Sequence, residues 1–147
     1  SNALLFDVLR LQHGYTYGAY SFFDCGKYAN EFRATSSVQA AYTLEAMQLF
    51  KSCISTYGEQ FTEQSLVKTK DAMLSEMTVD GLPVDDLKRQ EQLLKRMTLP
   101  EAKACIRNWL DYDRMFFVVV GDAASQLDRI RKSGLGEVKV VDLQELR

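Results

Sequence analysis

The stretch "LFDVLRLQHGYTYGAYSFF", Leu5 to Phe23, decides how this chain is read. Leu4, Leu5, Val8 and Leu9 fall at helical spacing, and Gly14 is the residue type that closes a helix in the left-handed conformation. Thr16 to Phe23 then sets aromatics between small residues, which predicts a strand. A helix end and a strand therefore meet at Gly14. The side chains at that junction, Arg10, His13 and Tyr17, are the first candidates for chemistry.

Working outward, Asp24-Cys25-Gly26-Lys27 has turn composition and Tyr28 to Thr35 reads as a second strand, which together make a hairpin. Ser36 or Ser37 is placed to cap a helix from Val38 to Tyr57, whose broad apolar set predicts deep burial, with Gly58 ending it. Thr62 opens a further helix through Met77, and Asp80-Gly81-Leu82-Pro83 breaks it. Val84, Leu87, Leu94 and Met97 continue with a charged opposite face. Thr98 and Glu101 fit a capping box ahead of a helix carrying Ala102, Ile106, Trp109 and Leu110. Met115 to Val120 is a short apolar run with a β-branched ending, expected as a buried strand. Gly121-Asp122 leads into a short helix stopped at Gly134, and Glu137 to Leu143 is expected as the closing strand. The order αββ, helices, βαβ predicts an α+β fold, a mostly antiparallel sheet with helices packed on one face.

The bulk properties narrow the function classes. The 147 residues are 46% hydrophobic and 26% charged, which suits one globular domain or a large piece of one. No apolar run approaches the ~20 residues of a membrane helix. The formal net charge is -2 and the basic residues are scattered, so nucleic-acid binding has no electrostatic footprint. Cys25, Cys53 and Cys105 are widely spaced and odd in number; they read as small buried hydrophobes and lean towards a reducing compartment. Ser1-Asn2-Ala3 has the composition of a cleaved expression-tag remnant, leaving 4–147 as the chain to be explained.

The chemical candidates thin out quickly. A catalytic zinc needs about three protein ligands and an open position. His13 is the single histidine, and Asp7 beside it does not complete a ligand set. No metal site is expected in this chain. Ser21 and Cys25 lack an activating base. "VVVGDAAS", Val118 to Ser125, ends a predicted strand at a helix start, where phosphates bind, but it carries one glycine of the fingerprint; Gly121 as turn and Asp122 as helix cap account for it. Arg10 and Tyr17 remain. Arg10 in the last helical turn complements the macrodipole, and Tyr17 reads as a half-buried strand aromatic. The alternative is that a guanidinium fork and a phenol emerge together, two donors suited to a peptide carbonyl or an oxyanion.

With those residues in view, "LR…GYTYGAYS" resembles the signature of the non-catalytic homologous domain in the pitrilysin/insulinase family of zinc metallopeptidases, the group that includes the mitochondrial processing peptidase. In that pattern an arginine ends a helix, a glycine-type break follows, and a tyrosine stands seven places after the arginine, as Tyr17 does after Arg10. "FFVVVGDA" before a helix, "GLGEVKVVD" as a closing strand, and the capping box before the last long helix are similar as well. The resemblance covers Leu4 to Leu143.

The resemblance implies two homologous halves closing on a chamber. The other half carries H-x-x-E-H and the zinc, which polarises the scissile carbonyl while the glutamate activates water. By resemblance Arg10 and Tyr17 are substrate-binding residues that hold the peptide backbone near that metal. This chain contains neither the motif nor a catalytic residue of its own, so it is expected to be inactive alone and to need the zinc-bearing half, on the same polypeptide or a separate subunit. The alternative within the family is a non-enzymatic scaffold or core-like subunit. Family domains also open with a strand and a helix ahead of the arginine helix. Their lack here makes 4–147 a partial half-domain whose incomplete sheet invites self-association. Localisation stays open between a bacterial envelope or periplasm, where such members are often exported, and the cytoplasm.

Overall fold

The computed structural model describes residues 2–25, 30–77 and 84–141. These divide into two compact units: 1–54 with 114–147, and 55–113. The architecture is α+β. Among the described residues the only sheet is an antiparallel hairpin of two strands, accompanied by six helices.

The first unit opens with α1 (Asn2–Phe6), which widens into a π-helical segment, Asp7–Gln12. Gly14 follows at φ +66°, a left-handed conformation that glycine adopts without a Cβ penalty. This geometry lets the Gly14 N–H donate to Arg10 O at 3.0 Å and the Tyr15 N–H donate to Leu9 O at 2.9 Å, so the helix end is satisfied by the chain that leaves it. Leu5 and Leu9, one turn apart, are buried, and Leu9 is fully enclosed. They pack with Ala19, Ala46, Phe50 and Cys53. Enclosing one leucine contributes roughly 1.5–3 kcal/mol, so Leu9 is a principal anchor of the helix that carries Arg10.

β1 (Thr16–Cys25) pairs with β2 (Asn30–Val38), Ala19 opposite Ser36 through Cys25 opposite Asn30. Ala19 and Ser21 face the core while Tyr20, Phe22 and Asp24 face solvent. Between Thr16 and Ala19 the register slips: β1 spans three steps where β2, from Val38 to Ser36, spans two. That is a β-bulge. Several expectations change here. β1 continues through Asp24 and Cys25, and the rest of the expected turn, with Tyr28, lies outside the described residues. Ser36 and Ser37 stay in β2 instead of capping a helix, because the Ser36 hydroxyl is engaged across the hairpin. α2 (Thr43–Gln60) begins instead after a single 3-10 turn at Ala40–Tyr42.

α6 (Ala123–Lys132, after α3 to α5 described below) starts as expected. Asp122 Oδ1 accepts from the Ala124 N–H at 3.0 Å, and Gly134 at φ +71° follows its end. Arg129 ties this helix to the start of α2, donating to Ala41 O at 3.1 Å and pairing with Glu45. The two flanking runs do not form strands. Met115 to Val120 was expected to be buried, yet Phe116, Val118 and Val120 are largely exposed, while Phe117 packs against the core. Residues 137–141 form none either, and 142–143 lie outside the described residues. Apolar β-branched sequence supplies propensity, but a strand exists only as part of a ladder.

The second unit holds the end of α2, with α3 (Glu63–Met77), α4 (Val84–Arg96) and α5 (Leu99–Trp109). Phe61, Leu66 and Ala102 form its core, with Tyr57, Met97, Leu99 and Ile106 against them. Gly58 does not end α2. It lies inside the helix, where a Cβ would stand 3.3 Å from Ile106 Cγ2, so its role is close approach. The Thr98 N–H donates to Glu101 Oε2 at 2.7 Å and the Thr98 side chain accepts from the Glu101 N–H, the expected box, and the Thr98 hydroxyl lies 2.8 Å from the same carboxylate oxygen. Lys70 closes the other end of α4 from a distance, its Nζ donating to Lys95 O and Met97 O. Trp109, assigned to the apolar face of α5, is exposed. So is Cys105, whereas Cys53 is buried as expected.

Candidate functional site

Both residues singled out in the sequence lie in the first unit, on the two elements that meet at Gly14. Arg10 sits in the widened π turn, a helix form that recurs at functional positions. Its side chain is exposed, with the guanidinium carbon 4.9 Å from the centre of the Phe6 ring. Such a cation–π contact at an exposed site contributes about 0.5–1 kcal/mol and orients the fork without consuming its N–H donors. Among the described residues Arg10 makes no ion pair.

Tyr17 is not the half-buried aromatic that strand alternation predicts. It is 92% exposed. The bulge is the cause. In an unbroken strand Tyr17 would share parity with Ala19 and Ser21, both buried. The extra residue instead places Tyr17 and Gly18 consecutively outward, between the inward Thr16 and Ala19. A bulge re-aims a side chain in this way.

Two part-buried hydroxyls, those of Thr16 and Ser36, hold the bulge. Thr16 Oγ1 accepts from the Gly18 N–H at 3.1 Å and lies 2.7 Å from Ser37 O, to which it donates. The single Ser36 hydroxyl proton is shared between Thr16 Oγ1 at 2.9 Å and Gly18 O at 2.8 Å. The polar groups that the irregular backbone would leave unpaired are therefore satisfied locally.

The link between helix and strand is held by rings. His13 lies 5.1 Å from Tyr15, which stacks on Tyr42 at 4.4 Å and 12°. The Gln39 N–H donates to Tyr15 O at 3.2 Å. His13 is thus the exposed end of an aromatic stack. Sequence reasoning missed Tyr42 in this stack, since nothing local relates it to Tyr15, and it missed Tyr20, whose ring covers Gly18. The closely spaced tyrosines 15, 17 and 20 were the available signal.

What this arrangement offers chemically is donors on a fixed frame: an unpaired guanidinium on a capped helix end and a solvent-facing phenol on a bulged strand. Among the described residues no three His, Cys, Asp or Glu side chains converge to hold a metal ion, and no helix is long and apolar enough to cross a membrane. In comparisons with known proteins, no family model matches this sequence, no curated protein matches it, and no solved structure matches its fold.

Proposed function

We propose that this chain is the non-catalytic, substrate-gripping and chamber-forming part of a zinc metalloendopeptidase of the pitrilysin/insulinase kind, acting on peptides together with a zinc-bearing half. The reading rests on the motif resemblance across Leu4 to Leu143. The observation that carries it is the outward Tyr17 on a bulged strand that directly follows the helix of an exposed Arg10, which makes no ion pair among the described residues. Arg10 donates to a substrate main-chain carbonyl. Tyr17 donates to the same carbonyl or to the oxyanion that develops on it. Because both act on backbone groups, selection falls on extended or unfolded peptides more than on particular side chains.

Among the described residues no side chains are arranged to hold a zinc ion. The chain's only histidine, His13, packs against Tyr15, and no carboxylate or thiol cluster stands in for the missing ligands among the described residues. The zinc belongs to the partner half. The exposed valines of the 115–120 run are apolar surface suited to contact with that half or with a second copy.

The test uses the assembled peptidase, this chain with its zinc-bearing half. Arg10→Ala and Tyr17→Phe should each lower kcat by on the order of 10²-fold, with zinc content unchanged; the melting temperature should hold in Tyr17→Phe and fall slightly in Arg10→Ala, which also loses the contact with Phe6. Turnover equal to the parent in both variants would remove the grip assignment and favour the non-enzymatic scaffold.

A further inference from the structure

Tyr17, Gly18, Tyr20 and Phe22 share the outward face of the hairpin, because the bulge gives β1 two consecutive outward positions. Tyr20 does not stand straight off the sheet. Its ring folds back along β1, with the hydroxyl 2.8 Å and two ring carbons 3.1 Å from where a Gly18 Cβ would be. A Cβ at 18 would make the outer end of the Tyr20 ring shift. An aromatic ring covering a bare strand glycine is a known stabilising device, and phenylalanine would serve it equally. The hydroxyl is what phenylalanine lacks. Here it belongs to a residue that is 60% exposed and lies against Gly18, the residue next to Tyr17.

We infer that Tyr20 is a second phenol of the substrate grip, seated by the bare backbone of Gly18 beside Tyr17, where it donates a hydrogen bond to a main-chain carbonyl of the same extended peptide. This rests on the proposed function and adds a binding residue to it. Gly18 acts only through Tyr20 and is a positioning residue.

The experiment measures kcat/KM of the assembled peptidase on a quenched-fluorescent nonapeptide. Tyr20→Phe keeps the ring over Gly18, so melting temperature should hold while kcat/KM falls about tenfold, the size expected for one lost hydrogen bond in the bound state. Gly18→Ala should give a similar fall by displacing the hydroxyl, and the double variant should be no worse than either single one. Parent-like kcat/KM in Tyr20→Phe overturns the inference, including the case where Gly18→Ala alone loses activity, since the ring would then serve packing only. If Arg10→Ala and Tyr17→Phe still lose turnover in that event, the proposed function stands and only the role of Tyr20 falls. If they lose nothing, both fall.

Discussion

The hydroxyl of Ser36 donates to Thr16 Oγ1 at 2.9 Å, across the hairpin at the point where β1 takes in its extra residue. The exposure of the Tyr17 phenol depends on this contact and its neighbours. Thr16→Val removes a part-buried acceptor that serves both Ser36 and the Gly18 N–H. It should lower the unfolding free energy by about 1–3 kcal/mol, read from urea denaturation. Tyr17, the most exposed of the described tyrosines, should also be nitrated more slowly by tetranitromethane than in the parent chain. An unchanged midpoint with unchanged nitration would mean that the bulge is held by backbone pairing alone.

A pH effect follows from the capping box. The Thr98 N–H and hydroxyl donate to Glu101 and hold its pKa below the ordinary glutamate value of 4.5, with Arg96 and Lys70 adding to the effect. A carboxylate depressed in the folded state adds stability above its unfolded pKa and loses it as pH falls through the folded one. The melting-temperature gap between the parent chain and Glu101→Gln should therefore be constant near neutrality and narrow below pH 4.5. A gap that persists to pH 3 would show that the charge of Glu101 contributes nothing.

Gly58 and Ile106 form a second testable pair. Alanine in a helix interior is favoured over glycine by roughly 1 kcal/mol, but a Cβ at 58 would meet Ile106 Cγ2 at 3.3 Å. Gly58→Ala alone should gain less than that propensity difference. In an Ile106→Ala background the same change should realise all of it. Equal gains in the two backgrounds, measured by urea midpoints, would mean that α2 and α5 are not packed against this glycine.

The thiols should differ in reactivity. Burial pushes the Cys53 pKa up and shields its sulfur, whereas Cys105 is exposed. Cys105→Ser should remove a fast phase of labelling by a disulfide reagent in native buffer, and Cys53 should react only after denaturant is added. Fast native labelling of Cys53 would place the core around Phe50 in exchange with an open form.

Features set by near neighbours in the chain were legible beforehand. The Thr98–Glu101 box, the Asp122 cap and the stops at Gly14 and Gly134 each depend on residues within a turn of one another, and the structure has them. Ser36 was misread because its partner is Thr16, distant in sequence, and a serine near a strand end carries the same local signal as a helix cap. Gly58 looked like a terminator because its reason, Ile106, lies on another helix. Met115 to Val120 carried the composition of a strand without the neighbour that would make it one.

The candidate site divides in the same way. The spacing of Arg10 and Tyr17 was plain in the sequence, and so was the helix break between them. The orientation of Tyr17 was not. Alternation puts it on the side of Ala19 and Ser21, and a one-residue insertion in the ladder reverses that. The available mark was Gly18, since an isolated glycine within a strand pattern signals a bulge, but it does not say which way the neighbouring side chain turns.

The run from Met115 to Val120 contains no charge, and Arg114 and Asp122 bracket it closely on either side. Those two act as gatekeepers. Six consecutive apolar residues of high β-propensity can seed fibril growth in concentrated or ageing solutions, and flanking charges oppose in-register stacking. Low ionic strength leaves that repulsion least screened, and high salt weakens it.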